Sequence, residues 1–420
     1  ISHWPGEAVT DMLLPSTCIN ILHTYPHEFK LRLGADVHKL RRFWVDFVAR
    51  AANEDAARDH PVIGGLSLAE LEHVVPLTVH TDAAPYTKTR SCNVISFGGS
   101  LSVGEEKLTR FVCCSFMKSA AGGADAAWRH LLADFIALGT GVVGGSEIAK
   151  DRDGNVWRFA LMFVKCDEDV RCNEFGFAHY SARDEVCSEC MGDRATRPFT
   201  DLGPTAAWKR TERMDLDTYK ARLSPPFHPL VESAFFCHRS FFMLDIMHLL
   251  DCNGVAQLVF GSILAQLLTD ARLGRNRPLR LQQINAERAA YFDARPGSHR
   301  LPPIAMHNVV SDGWANLHGP AFKAAIVRAA APFFNDLVHR YYANASARHV
   351  CLRGVASSLN DLYRVLWTGP MFQDEGAIAS LRAICSDFGR HYMRLREFAR
   401  RSGMWAWQVK TKGAQALAYS

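Results

Sequence analysis

Two aspartates at the ends of apolar runs are the first residues of this sequence that could do chemistry as a pair. Asp82 ends the alternating run Leu77–Asp82, and Asp167 follows the apolar run Val156–Val164. Two carboxylates that lie close together repel each other and are most simply reconciled by a divalent cation. Such a pair can hold Mg²⁺ or Mn²⁺ ions that bridge a phosphodiester, activate a water and stabilise the leaving oxygen. The structural alternative is that Asp82 caps a turn before Pro85 and that Asp167 begins a solvated acidic turn.

The two aspartates can meet only if the segments that carry them are neighbouring strands. Three runs predict an antiparallel meander: Leu77–Asp82, Cys92–Phe97 and Leu108–Phe116. Helical spacing follows at Trp128–Leu138, and Val156–Val164 is the next strand, so the predicted order is β-β-β-α-β. A strand that follows such a helix cannot close a hairpin with the third strand, so we expect it beside the first, in a mixed sheet. Both carboxylates would then lie at one edge of that sheet.

A second candidate is a metal site at two cysteines, Cys187 and Cys190. Their two-residue spacing lets both thiolates reach one tetrahedral Zn²⁺ from a tight turn. Asp245 and His248 repeat this spacing with an oxygen and a nitrogen ligand, and they are the candidate second half of the site. The rivals for that half are Cys172, Cys237 and His238. Two ordinary cysteines without a metal are the structural alternative.

A third candidate is a basic and aromatic strip near the end of the sequence. Its basic members are Arg390, Arg394, Arg396, Arg400, Arg401, Lys410 and Lys412. Trp405 and Trp407 accompany them, and Glu397 is the one acidic residue in the same stretch. Such a strip can neutralise phosphates while aromatic rings stack on bases. A solvated helix face with core tryptophans is the alternative.

Composition limits the classes of function that remain. Hydrophobic residues make up 48% and charged residues 22% of the 420 positions, which is typical of soluble globular proteins and argues against long disorder. Lys and Arg number 48 and Asp and Glu 43, and the net charge of +5 permits a polyanionic partner without requiring one. Twelve cysteines at irregular spacing indicate a reducing compartment. The most apolar stretch, Val255–Leu268, is too short and too interrupted for a membrane span, so none is expected.

Changes of pattern along the chain predict three regions. We expect a helical region over residues 1–70, an α/β core over 71–270 with a cysteine-containing insertion at about 170–225, and a helical region over 271–420. Within the last region, Arg272–Pro303 has the charge and proline content of a connector. The chain begins with Ile1 rather than Met and opens with no targeting signal, so we expect it to be a segment of a longer protein.

The order of these motifs resembles the transposase domain of CACTA (En/Spm-like) DNA transposons. Thr81–Tyr86 is similar to the segment that ends the first strand in that family, with Ala83 where glycine is usual. Phe163–Asp167 and the cysteine pair correspond to the family's second aspartate and its CxxC, and Leu244–His248 corresponds to its D-x-M-H segment. The similarity covers roughly Val75–Leu268.

The resemblance implies an RNase H-like α/β fold and DDE/D chemistry, in which metal ions assist the cleavage and transfer of DNA strands. It carries the catalytic roles to Asp82 and Asp167, with Mg²⁺ or Mn²⁺ at these carboxylates. It also suggests a Zn²⁺-binding insertion that uses Cys187, Cys190 and His248, joined by Asp245 on the spacing given above. Double-stranded DNA is the expected partner, the nucleus the expected location, and a homo-oligomer is compatible with this hypothesis.

The third acid of such a site is expected on a helix after the D-x-M-H segment, but the equivalent stretch, His318–Ile326, contains no carboxylate. Asp312 and Asp336 flank it as candidates. Without a third ligand the metal pair would be poorly held. The alternative hypothesis is therefore a catalytically inactive, domesticated transposase that binds DNA or acts as a scaffold. A cysteine-based redox protein is a third and more remote hypothesis.

Overall fold

The structure is a computed structural model of the chain. It describes residues 12–50, 58–85, 91–104, 106–117, 121–143, 145–150, 153–177, 192–203, 205–210, 216–243, 245–252, 254–297, 299–311, 314–368, 374–404 and 406–409. The chain divides into two units, which we call the sheet unit (Ile1–Ala178 with Met214–Asp245) and the helical unit (His179–Arg213 with Ile246–Ser420). The three regions predicted from the sequence, with boundaries at residues 70 and 270, stay a prediction.

A mixed five-stranded sheet forms the centre of the sheet unit, so the protein is α/β as expected. Its strands are β1 (Val74–Pro85), β2 (Ser91–Gly99), β3 (Phe111–Met117), β4 (Arg158–Lys165) and β5 (Phe242–Met243). They lie in the order β3-β2-β1-β4-β5. The pairs β1–β2 and β2–β3 are antiparallel, whereas β1–β4 and β4–β5 are parallel. The predicted β-β-β-α-β order and the position of the fourth strand beside the first are confirmed.

The helix between β3 and β4 explains why β4 has a continuous apolar sequence. Helix α6 (Ala121–Thr140) packs against β4, and the residues Phe159–Val164 of that strand are all buried. A strand that is covered on both faces needs apolar side chains on both, so its sequence loses the two-residue alternation. The apolar run of the sequence is therefore an inner strand, and Asp167 follows directly after it.

Short helices complete the sheet unit, and the longest of those that precede β1 is amphipathic. They are α1 (Pro15–His23), α2 (Pro26–Leu33), α3 (Val37–Val48), α4 (Leu68–Leu71), α5 (Glu106–Thr109), α7 (Glu168–Asn173), α8 (Leu216–Ala221) and α9 (Pro229–Glu232), with a 3₁₀ turn at Arg239–Phe241 and two-residue strands at Val142–Val143 and Ser146–Glu147. Helix α3 buries Phe43, Trp44 and Phe47, which recur at helical spacing. The Trp44 indole Nε1 donates to the Val74 carbonyl at 2.9 Å, which ties α3 to the beginning of β1.

Helices dominate the second unit. They are α10 (Ile246–Leu250), α11 (Val255–Leu267), α12 (Arg277–Asp293), α13 (Ala324–Ala329), α14 (Ala331–Tyr341), α15 (Ala347–Thr368) and α16 (Glu375–Arg401), with 3₁₀ turns at Ala207–Arg210, Ala271–Leu273 and Met306–Asn308 and two-residue strands at Val310–Ser311 and Trp314–Ala315. Helix α11 lies in the middle of the core, where Phe260 stacks on Phe334 with ring centroids 4.3 Å apart. The helical pattern that the sequence shows after residue 314 is confirmed by α13 to α16.

Two local predictions are wrong. The predicted third strand begins at Leu108, but Glu106–Thr109 is helix α5 and β3 starts at Phe111. The predicted connector Arg272–Pro303 contains the 17-residue helix α12. Its proline stands in the first helical turn, where no backbone N–H is needed, and the Asn276 side chain caps the helix by accepting from the Leu279 N–H at 3.1 Å. Proline at this position begins a helix instead of ending one.

One stretch of the described residues is long and apolar enough to cross a membrane. It covers Ile246–Leu267 and reaches a mean hydropathy of 1.2, and 76% of its apolar window is buried inside the protein. The core helix of a soluble protein passes the same test of length and composition. The expectation that the chain has no membrane span stays a prediction.

Candidate functional site

The register of β1 and β4 brings the two predicted catalytic aspartates to the same level. In this parallel pair His80 lies opposite Lys165. Asp82 follows His80 by two positions, and Asp167 follows Lys165 by two positions. Neighbouring strands run about 4.8 Å apart, and residues two apart on a strand share a face. The expected adjacency of the two strands is confirmed, but β1 continues to Pro85, so Asp82 lies within its strand and not at the end of it. The catalytic role of the two aspartates stays a prediction.

The same register brings a third aspartate to this edge. Lys165 lies opposite Met243 in the parallel pair β4–β5, and Asp245 follows Met243 by two positions. Its side chain is buried, with 8% of the residue exposed. Three adjacent parallel strands therefore each contain an aspartate or lead to one at the same level. The sequence pattern does not indicate this position of Asp245, because β5 is a strand of only two residues.

Asp167 also has a structural task. Its backbone is extended (φ −76°, ψ 172°), and its Oδ1 accepts a hydrogen bond from the Val170 N–H at 2.8 Å. It is thus the N-cap of α7, which satisfies one of the unpaired N–H groups at the start of a helix. The structural alternative is therefore correct in giving Asp167 a local structural role, but it is wrong for Asp82, which lies within β1 opposite Val94 and caps no turn. The second carboxylate oxygen of Asp167 is not part of the α7 cap.

Two basic side chains accompany the aspartates. Burial lowers the pKa of Lys165, and so does Arg110, whereas the carboxylates of Asp245 and Asp82 raise it. Burial also lowers the pKa of Arg110, and the same two carboxylates oppose that effect. A carboxylate that counteracts the burial of a cation must lie within electrostatic reach of it. We call Asp82, Asp167, Asp245, Arg110 and Lys165 the strand-edge cluster.

The strand-edge cluster has the donor chemistry of a Mg²⁺ or Mn²⁺ site, but its ligands do not converge. Carboxylate oxygens are the ligands that these ions prefer. Within the described part of the chain, however, no three Asp, Glu, His or Cys side chains form a group that could hold a metal ion. The cluster contains the positive charges of Arg110 and Lys165 beside its carboxylates. The ligand types therefore fit the predicted ions, and the arrangement is not a preformed metal centre.

The predicted zinc site can be followed only in part. Cys187 and Cys190 lie outside the described residues. Asp245 belongs to the strand-edge cluster, and His248 is a half-buried residue of α10. Zinc binding by these four residues stays a prediction.

The rival zinc ligands have other surroundings. The ring of His238 is 1% exposed and lies among aromatic rings, with centroids 5.9 Å from Phe47 and 6.0 Å from Phe163 and Phe241. Its neighbour in the chain, Cys237, is buried as well. An aromatic environment of this kind favours a core role for His238 over metal ligation.

The two candidates for the third acid flank the stretch His318–Ile326, most of which precedes helix α13, and their role stays a prediction. Asp312 lies outside the described residues. Asp336 is exposed on α14 in the helical unit, with its Oδ2 4.0 Å from Nη2 of Arg295. By register, Asp245 is the third carboxylate of the strand edge.

The basic strip near the C-terminal end is partly neutralised by local ion pairs. Arg390 lies 2.8 Å from Asp387, and Arg400 and Arg401 lie 2.9 Å and 2.7 Å from Glu397. The structure also buries Trp407, which is 1% exposed, so for this residue the core alternative is correct. Other predicted members, Trp405, Lys410 and Lys412, lie outside the described residues. Nucleic-acid binding by this strip stays a prediction.

No family model matches this chain, and no curated protein matches it.

Proposed function

We propose that this protein is a transposase-like, DNA-binding protein with an RNase H-like core, which cleaves or transfers DNA strands with the help of divalent metal ions. The proposal includes the CACTA-type resemblance of the sequence, a nuclear location and a Zn²⁺ site at Cys187, Cys190, Asp245 and His248. A homo-oligomer is compatible with it. The α/β core supports it, because a β-β-β-α-β sheet with the fourth strand beside the first is the arrangement that this resemblance requires.

One observation carries the proposal. Asp82 and Asp167, which the resemblance selects as catalytic, follow residues that lie directly opposite each other on parallel strands. They are far apart in the sequence, so their common level at the sheet edge is a property of the fold. The proposal assigns metal binding to these two carboxylates. A bound divalent ion would supply an activated water and stabilise the leaving oxygen of a phosphodiester.

The test is the nicking of supercoiled plasmid DNA in the presence of Mg²⁺ or Mn²⁺. Asp82→Asn and Asp167→Asn are each expected to lower the nicking rate by at least about 100-fold, as the loss of a principal catalytic group does. Asparagine keeps the shape of both side chains, and at residue 167 it also preserves the helix cap. The effect therefore reports the lost charge.

The matched control is Asp125→Asn, because Asp125 is an exposed carboxylate on α6 of the same unit. It should leave the nicking rate unchanged. Nicking that survives Asp82→Asn, with the variant folded as judged by its thermal melting, would contradict the catalytic assignment.

A second candidate function is DNA binding or scaffolding without catalysis. The observation that favours it is the pair of basic groups, Arg110 and Lys165, that act on Asp82 and Asp245. DNA binding and nicking by the unmutated protein together distinguish the two functions. A protein that binds DNA in a gel-shift assay but does not nick it, in Mg²⁺ or in Mn²⁺, favours the scaffold.

A further inference from the structure

Lys165 holds a central place in the strand-edge cluster. It is the last residue of β4, the strand between β1 and β5, and its backbone lies opposite His80 on one side and Met243 on the other. Asp82 and Asp245 each follow two residues beyond these partners. The only lysine of the cluster thus comes from the middle strand, and the two carboxylates come from the strands on either side.

The charges of this part of the cluster balance. Asp82 and Asp245 contribute two negative charges, and Arg110 and Lys165 contribute two positive charges, all within electrostatic reach. None of these four side chains is without a partner. A half-buried cation is retained in a fold when neighbouring carboxylates compensate for its lost hydration. With Asp167, which the register places at the same level, the edge has three carboxylates against two cations, so the cations offset most of its negative charge but not all of it.

The sheet face that carries Asp82 continues onto β3, where it is exposed. Val94 of β2 lies opposite Asp82 on one side and opposite Ser115 of β3 on the other, so these three residues share a face. Ser115 is exposed, and the next β3 residue on this face, Val112, is 55% exposed. The β3 part of this face is therefore open to solvent.

We propose that Lys165 is a phosphate-binding group of the strand-edge cluster, and that it exchanges its carboxylate partners for a phosphodiester when DNA binds. This inference rests on the proposed DNA-binding function. Phosphate oxygens accept hydrogen bonds from ammonium and guanidinium groups in the same way as carboxylate oxygens do. The exchange removes the positive charge of Lys165 from Asp82 and Asp245, and carboxylates that lose a counter-ion attract divalent cations more strongly. DNA and the metal ion then bind cooperatively, each raising the affinity of the other.

The experiment uses Lys165→Met, which keeps the length of the side chain and removes its charge. Mn²⁺ binding is measured without DNA, by the loss of the free-ion EPR signal. Binding of a duplex oligonucleotide is measured in EDTA at several salt concentrations. The matched control is Lys150→Met, because Lys150 is a half-exposed lysine of the same unit that is also paired with a carboxylate, that of Glu147. Thermal melting verifies that both variants fold.

Two results are expected for Lys165→Met. Its Mn²⁺ affinity should rise by about tenfold or more, because a positive charge next to the carboxylates is gone. The slope of log DNA affinity against log salt concentration should become shallower by about one, as expected when one phosphate contact is lost. Lys150→Met should change neither value.

Other results would overturn the inference. An unchanged Mn²⁺ affinity would show that Lys165 does not compete with the metal for the carboxylates. A raised Mn²⁺ affinity with an unchanged salt dependence of DNA binding would show that Lys165 is a structural counter-ion that does not contact DNA. Both results differ from a failure of the proposed function itself, which is an absence of nicking by the unmutated protein and needs no Lys165 variant.

Discussion

Two charge clusters of this protein, one in each unit, differ in how their carboxylates are held. In the helical unit the side chain of Asp251 is completely buried, and its Oδ2 accepts from Arg328 Nη2 at 2.8 Å and Nε at 3.1 Å. Tyr363 donates its hydroxyl proton to the other oxygen. The Arg328 guanidinium also lies 3.7 Å from the ring centroid of Trp367. Each oxygen of this carboxylate has a fixed partner.

The strand-edge cluster of the sheet unit is built differently. Asp82 and Lys165 are half-buried, and five charged groups come together from four separate segments around a sheet edge. A fully satisfied, buried ion pair is an element of stability whose partners have no reason to change. A half-buried cluster of mixed charge can exchange partners at little cost. This difference is why we assign function to the strand edge and structure to Asp251.

The largest expected effect tests this contrast directly. Asp251→Asn should lower the free energy of unfolding by about 3 kcal/mol, because it removes one partner of a buried ion pair. Asp82→Asn should change it by less than about 1 kcal/mol, as is usual for partly exposed pairs. Urea denaturation followed by circular dichroism measures both. Equal losses from the two variants would mean that the strand-edge cluster is structural as well.

A second prediction concerns acid, and it separates the two units. The buried histidines within the described residues, His60, His228 and His238, all belong to the sheet unit. Burial lowers the pKa of His60 to about 4 and the pKa values of His228 and His238 to about 3, with further lowering from Arg129 at His228 and from His60 at His238. In the unfolded chain these histidines bind protons near pH 6.5. Their contribution to the stability of the fold is therefore fully present above that pH and is lost as the pH falls towards 4.

The measurement is the free energy of unfolding at pH 7 and at pH 5. Each of these histidines should contribute a loss of roughly 2 kcal/mol between the two values. His238→Phe should reduce the pH-dependent loss by about that amount, whatever its effect at pH 7. The exposed His27 supplies the control variant, His27→Gln, which should retain the full loss. An unchanged loss in His238→Phe would show that another group governs acid unfolding.

The smallest expected effect separates the two tasks of Asp167. Asp167→Ala removes both the charge and the cap of α7, and it should cost about 1 kcal/mol of stability. Asp167→Asn removes only the charge, and its stability should stay close to that of the unmutated protein. Thermal melting distinguishes the two. A similar loss in both variants would point to the charge of Asp167, and not its hydrogen bond, as the stabilising feature.

Much of the sheet could be predicted because its long strands carry strong local signals. The alternating run that ends at Asp82 and the apolar run before Asp167 each matched a strand, and the helix between β3 and β4 forced the fourth strand to the far side of the first. The segment around Arg277 was misjudged because proline and charge suggest a connector, whereas the same residues suit a helix N-terminus. At Leu108 the apolar pattern of the strand continued into a short helix.

The sequence by itself predicted four of the five strands and the place of the fourth beside the first, since periodicity and chain connectivity are local properties. Only the tertiary structure decided which other charges join Asp82 and Asp167. Asp245 follows a strand too short to have a period, and Arg110 and Lys165 meet the carboxylates through the pairing of segments that are distant in the chain. Register between strands depends on how whole faces pack, and a shift of one residue would turn each of these side chains to the opposite face.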